Sequence, residues 1–349
     1  MKAIPRFISS ILICILCHFN GLFAQTGGTS SFEFLALTNS ARIAGLGGNF
    51  AAIHDNDITL ALSNPSLITP KMSNTLALSY AKNYTQVNYG YASYGRDFTK
   101  LGSFVGSLQF VDYGNSKYTD ETGAITGNFK MGEYAFNLGW GRMLDSVFSI
   151  GANVKMLYSD LESYNSLGLA VDVAGSYIPN SNTCVSLLIR NVGRQLTTYT
   201  TAGVQPLPFE IQLGMSRRFT HVPFRISLLL QHLEKWDLTY TSSTAAIDPF
   251  TGQPVATSTL DGFADKAMRH IIIGGEFIPA RFLSLRVGYN YNHRKELLVD
   301  TRPGTVGFSW GIGLNVSKFS FSYSRAAYHL SAALNYMTLT TNLGDWAKK

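Results

Sequence analysis

From about residue 76 to residue 341, apolar side chains alternate with polar or small ones in short runs. In 148–156, Phe148, Ile150, Ala152, Val154 and Met156 share one face, and Ser149, Gly151, Asn153 and Lys155 the other. Period two is the mark of a strand. The pattern returns with Val185, Leu187 and Ile189, with Phe209, Ile211, Leu213 and Met215, and with Val306, Phe308, Trp310, Ile312, Leu314 and Val316. About fourteen strands are expected, near 76–82, 86–96, 102–111, 133–141, 147–158, 166–178, 183–191, 208–217, 224–233, 269–278, 282–293, 305–316, 317–325 and 330–341. Most approach the roughly 9–11 residues of a tilted strand crossing a bilayer.

Alternation suits a soluble β-sandwich as well as a membrane barrel. The connectors separate the two. Every second one is short (96–101, 142–146, 179–182, 218–223, 279–281 and a turn near Ser317), whereas the others include 112–132, 192–207, 234–268 and 294–304. Long and short loops therefore gather at opposite ends, as in outer-membrane barrels with short periplasmic turns. The expected fold class is all-β: a transmembrane antiparallel β-barrel over 76–341, preceded by a plug at 25–75 and followed by a tail at 342–349.

Composition supports the membrane. Only 14% of residues are charged and 13% are aromatic, whereas about a quarter of a soluble domain is charged. Lys2 and Arg6 followed by the apolar run 7–17 read as a secretory signal over 1–24. Beyond it no apolar run reaches about 18 residues, so any crossing is by strands. The formal charge is +6; its excess over neutrality is mild and scattered, which gives no argument for nucleic acid. Outside the signal Cys184 is the one cysteine, so an internal disulfide and a cysteine zinc site are excluded.

The charges inside strands fall on the polar face. Taking one per strand from the fourth to the eleventh gives Glu133, Lys155, Asp172, Arg190, Glu210, Arg225, Glu276 and Arg286, with alternating sign. Neighbouring strands would then face each other with opposite charges. Judged from their shared turns, Glu133 with Lys155 and Glu276 with Arg286 lie at similar heights, whereas Glu210 and Arg225 match poorly. The expected lumen is braced by ion pairs rather than open as a wide aqueous pore.

Residues 25–75 lack strand alternation. Gly45, Gly47, Gly48, Ala51 and Ala52 precede an acidic pair, Asp55 and Asp57, and then Asn64-Pro65-Ser66. Short helices and turns inside the barrel are expected here. The run Ser40-Ala41-Arg42-Ile43-Ala44-Gly45-Leu46-Gly47-Gly48 with those acids and Asn64-Pro65-Ser66 resembles the N-terminal hatch of FadL-like outer-membrane proteins, with Ser66 where that pattern usually carries Ala. Gly27-Gly28, Phe32-Glu33-Phe34-Leu35 and Asn39-Ser40-Ala41-Arg42 further resemble the PorV/PorQ family of the Bacteroidetes type IX secretion system. That resemblance implies an outer-membrane anchor for a cell-surface attachment complex, with a PorZ-like surface protein as direct partner and PorU and PorV reached through it. The broader FadL resemblance implies instead a channel for hydrophobic small molecules.

No catalytic constellation is visible. There is no GxSxG and no HExxH, the histidines are dispersed, and no cofactor is expected. Asp55, Asp57, Asn64 and Pro65 are the hatch candidates, with turn and helix capping as their simpler role. The connector 234–268 carries Trp236, Tyr240, Phe250 and Phe263 and is the candidate partner-binding loop; Trp236 lies near enough to a strand end to belong to an aromatic girdle instead. Trp346 is followed by three residues, unlike the terminal aromatic of many outer-membrane barrels.

Overall fold

The computed structural model describes residues 30–82, 87–200, 203–239, 259–297, 304–329 and 332–347. The expected signal segment, Tyr240 and Phe250 lie outside the described residues.

Fourteen antiparallel strands close into a barrel in which β1 pairs with both β2 and β14. They are β1 Thr75–Lys82, β2 Asn88–Phe98, β3 Gly102–Thr119, β4 Ile125–Met143, β5 Phe148–Leu161, β6 Tyr164–Asn180 and β7 Thr183–Gln195. The second half comprises β8 Glu210–Arg218, β9 Phe224–Leu230, β10 Ile271–Ala280, β11 Leu283–Asn290, β12 Phe308–Val316, β13 Phe319–His329 and β14 Ala332–Asn342. Closure leaves no open edge, which is what allows a sheet to sit in lipid.

The faces are inverted relative to a soluble protein. On β5, Val154, Met156 and Tyr158 are exposed while Ser149, Asn153, Lys155 and Ser159 are buried. The same holds on β6, where Leu167, Leu169, Val171 and Val173 face out around a buried Asp172. An exposed apolar belt over a buried polar interior fits a hydrocarbon surround. No helix among the described residues is long and apolar enough to cross a membrane; the strands cross it.

The largest departures from the sequence reading are three. Residues 112–132 are not a loop: β3 and β4 run on as a paired ribbon to a turn at 120–124, where Asp120 Oδ1 accepts the Thr122 and Ala124 N–H groups at 2.9 Å. The ribbon is exposed on both faces, so it carries no apolar/polar contrast to read. A helix, Thr259–Arg269, begins within the expected connector 234–268 and runs one residue past it. Finally β11 stops at Asn290, whose Oδ1 accepts the His293 N–H at 3.1 Å and starts the helix Tyr291–Leu297.

Residues 31–74 fold inside the barrel as one short helix, Ala41–Gly45, and 3₁₀ turns at Glu33–Ala36, Ile58–Leu60, Pro65–Leu67 and Pro70–Met72. Where the lumen row turns apolar, the plug meets it. Leu188, Leu229 and Ile272 cluster with Ile43, Leu46, Phe50 and Ile53, and Val105 with Ile58, Ile68 and Met72. The breaks in the wall's polar row are thus the docking points of the plug. Glycines allow the backbones to touch: a Cβ at Gly151 would overlap the Pro65 carbonyl, and one at Gly288 the Leu46–Gly47 peptide. Gly288→Val is expected to lower the urea midpoint of the folded barrel, with an overpacking cost of about 1–3 kcal/mol; an unchanged midpoint would contradict this contact.

The C-terminus folds back on the rim. Trp346 stands 5.5 Å from the Phe319 ring, its Nε1–H donates to Thr341 Oγ1 at 3.1 Å, and Lys318 Nζ lies 4.5 Å from the indole centroid.

Candidate functional site

The densest polar arrangement joins plug to wall. Arg42, on the helix Ala41–Gly45, places its guanidinium between the carboxylates of Asp55 (2.6 Å), Asp57 (3.1 Å) and Glu276 (2.9 Å). To Glu276 it is bidentate, Nε donating at 3.0 Å and Nη2 at 2.9 Å, the geometry in which a guanidinium binds a carboxylate best. Arg225 on β9 reaches Asp55 at 3.1 Å and Glu276 at 2.8 Å. Arg286 on β11 reaches the other Glu276 oxygen at 3.1 Å. Three arginines thus meet three carboxylates, half from the plug and half from three adjacent strands. A cluster with no net charge satisfies its own groups without a counter-ion.

A polar cavity of about 280 Å³ adjoins this cluster, lined by Asp57, Thr59, Ser284, Asn315, Ser320 and Thr340 among others. Asn315 and Ser320 flank the β12–β13 turn, so the cavity lies toward the short-turn end. Asp55 and Asp57 do more than cap. Asp57 Oδ1 accepts the Thr59 N–H at 3.0 Å, while its other oxygen and Asp55 hold Arg42. Asn64 is a cap: its Oδ1 accepts from Ser66 N–H at 2.9 Å and Oγ–H at 2.7 Å, and its amide donates to the Ala51 carbonyl. Pro65 begins the turn that this cap starts. These residues fasten the plug.

The lumen charges form some of the expected pairs. Lys155 and Asp172 lie 2.7 Å apart, both fully buried, and Asp172 also accepts the Asn191 N–H at 2.8 Å where β7 bulges. Arg190 and Glu210 are register partners at 3.7 Å, as are Arg225 with Glu276 and Glu276 with Arg286. Glu133 does not meet Lys155. It stands opposite Ser159, whereas Lys155 stands opposite Asn137, about 13 Å farther along the strand; Tyr113 Oη donates to Glu133 at 2.5 Å instead. No ion pair joins Asp172 to Arg190 or Glu210 to Arg225 among the described residues. Strand tilt and stagger, not equal counting from turns, set which charges are level.

Arg42 escaped the sequence reading as a site residue. It is the one cation between Arg6 and Lys71, and a lone cation in a segment expected inside a barrel needs an acidic partner.

At the long-loop end Trp236 lies 5.2 Å from Phe263 and 5.7 Å from His270, ring to ring. Trp236 and Phe263 are 52% and 60% exposed. The helix carrying Phe263 is tied down by Lys266 to Asp237 at 2.6 Å and by Tyr291 Oη to Asp265 at 2.7 Å; the Lys266 and Thr239 hydrogen bonds bring the Asp237 carboxyl down to about 2. Close by, burial disfavours the His232 imidazolium, but its bond to Glu234 at 3.0 Å and the charges of Glu210 and Glu234 outweigh that and raise its pKa above the usual range. Such a contact is fully stabilising below the unfolded imidazole pKa and is lost as pH rises through the raised one. Amide protection over 232–239 is expected to be stronger at about pH 6 than at about pH 9; equal protection would exclude a charged His232.

Among the described residues no His, Cys, Asp and Glu cluster is arranged to hold a metal ion. Cys184 is a free, buried thiol packed with Ala52, Leu67 and Ile178.

No protein-family model matches the chain, and no curated protein matches it in sequence. Solved structures share its fold. The toluene transporter TodX of Pseudomonas putida superposes with a TM-score of 0.54 at 12% identity, over 88% of this chain and 99% of TodX. A FadL homologue from Pseudomonas aeruginosa gives 0.50 at 11% identity, over 90% of this chain and 100% of the homologue. The chain therefore has the fourteen-stranded outer-membrane fold of these proteins.

Proposed function

We propose that the chain is a FadL-like outer-membrane channel for small hydrophobic molecules. The observation that carries this reading is an apolar chamber toward the long-loop end, walled by Tyr89, Val111, Leu157, Leu207 and Tyr336 and filled by Phe32, Phe34 and Leu35 of the plug. A chamber that accepts two phenyl rings offers the same surface to an aromatic or acyl solute once that segment withdraws. The toluene transporter with which the chain shares its fold supports the assignment. The test is flux of toluene, and of a long-chain fatty acid, into vesicles holding the purified chain. Uptake above protein-free vesicles, raised by Phe34→Ala, is expected; flux equal to empty vesicles for both solutes would sink the reading.

A second reading is favoured by one observation, the exposed Trp236–Phe263 pair on an ion-paired helix. Here the barrel is a PorV/PorQ-like anchor that docks a PorZ-like surface protein of an attachment complex. Affinity purification from outer membranes distinguishes them: recovery of large surface proteins, lost in Trp236→Ala/Phe263→Ala, favours the anchor. Under either reading the braced lumen is expected to give no large, stable conductance in planar bilayers.

A further inference from the structure

Charge is unevenly distributed between the two ends of the barrel. At the long-loop end, Lys117, Lys130 and Arg194 are interleaved with Asp112, Asp120, Glu121 and Asp160, all exposed. At the short-turn end, Lys100, Arg281 and Lys318 occupy turns, and Arg96, Arg142, Arg217 and Arg218 end strands; all are exposed. Against them stand Asp97, Asp145 and Asp345. Two of these are engaged within their own turns: Asp97 accepts the Ser103 hydroxyl at 2.7 Å, and Asp145 the Val147 and Phe148 N–H groups at 2.7 Å. None of these basic side chains makes an ion pair among the described residues.

Three of them point outward rather than down. Arg96 lies on the lipid-facing row between Tyr94 and Phe98, Arg142 between Trp140 and Leu144, and Arg217 between Met215 and Phe219. All of these neighbours are exposed except Trp140, which is half-buried, and a cation flanked on both sides by outward-facing apolar or aromatic side chains sits at the depth where a membrane changes from hydrocarbon to headgroup. A soluble partner approaching the end of the barrel would meet the turn tips; these residues face the bilayer plane, Arg96 with one guanidinium nitrogen donating to Asn74 Oδ1 at 2.5 Å and the rest of its fork unengaged by any ion pair among the described residues. The planar fork of arginine matches a phosphate, and the short turns of outer-membrane barrels lie on the periplasmic side.

We propose that the short-turn end carries a collar that binds the phosphate headgroups of anionic phospholipids, with Arg96, Arg142 and Arg217 as its outward-facing anchors. The proposal rests on the barrel's seat in the membrane and holds whether or not the barrel conducts a solute. Lys318, held against Trp346, and the turn cations add long-range attraction that salt screens.

Native mass spectrometry of the full chain in detergent, given equal phosphatidylglycerol and phosphatidylethanolamine, tests it. Phosphatidylglycerol is expected to be retained about tenfold over phosphatidylethanolamine. Arg96→Gln/Arg142→Gln/Arg217→Gln is expected to lower that retention about tenfold, to the level of phosphatidylethanolamine, while Lys117→Gln/Lys130→Gln/Arg194→Gln leaves it unchanged. If the first triple variant does not fold, the matching Arg→Lys triple, which keeps charge but not the fork, is expected to hold an intermediate amount. Equal retention of the two lipids by the wild type overturns the collar, as does full phosphatidylglycerol retention by the Gln triple. Displacement of the lipid by millimolar inorganic phosphate would also overturn it, reassigning the site to a free anion. Flux of apolar solutes is a separate readout, so failure here leaves the channel reading standing.

Discussion

Replacing Arg42 with Ala is expected to free the plug from the wall of the barrel. Arg42 is the centre of the cluster: it is the cation that touches Asp55, Asp57 and Glu276 together. Its removal leaves buried Glu276 with only Arg225 and Arg286, and Asp57 with no ion-pair partner among the described residues. Breaking a buried, hydrogen-bonded charge arrangement by removing one partner costs about 3–5 kcal/mol. That loss falls on the plug-to-wall contact, so limited proteolysis of the detergent-solubilised barrel should cut within residues 31–74 at protease concentrations that spare the wild type. Arg42→Lys, which offers a point charge in place of a fork, should fall between the two. Undiminished protection in Arg42→Ala would mean that the apolar contacts of Ile43, Leu46 and Phe50 alone hold the plug.

The second large effect is expected at Lys155. Lys155 and Asp172 are 1% and 0% exposed, on neighbouring strands at 2.7 Å. Lys155→Met fills the same space with an uncharged chain and strands Asp172, whose remaining partners are the Asn191 N–H and, at 3.3 Å, the Asn153 amide. Urea titration of the barrel in vesicles should show a loss of about 3–5 kcal/mol. Lys155→Met with Asp172→Asn removes both charges and should recover most of it, because the desolvation cost of the carboxylate disappears with the ion pair. A double variant as unstable as the single one would show that packing, not charge, sets the effect.

Much of the barrel was legible because strand alternation is local. Val154 and Met156 against Asn153 and Lys155 needs no knowledge of the rest of the chain, and the short connectors at 142–146 and 179–182 fixed where strands reverse. The β3–β4 ribbon was not legible: beyond the bilayer both its faces meet water, so Asn115, Ser116 and Lys117 carry no contrast between faces. The site was half legible. The signs of Arg190 with Glu210 and of Glu276 with Arg286 were visible as a ladder, yet Glu133 was matched with Lys155 although the register sets them apart. Arg42 was visible only as part of a small-residue run, because its three partners lie 13, 15 and 234 residues away.

The sequence by itself determined a membrane-spanning all-β chain with polar positions facing inward, because side-chain alternation and connector length are properties of neighbouring residues. Only the tertiary structure decided which of those polar groups touch. Barrel stagger brings Arg225 level with Glu276 rather than with Glu210, and the plug brings Asp55 to both Arg42 and Arg225. The same closure gathers cations that look scattered along the chain, Arg96, Arg142, Arg217, Arg281 and Lys318, at one end. Each strand's short turn lands at the same rim, so residues far apart in sequence share one surface.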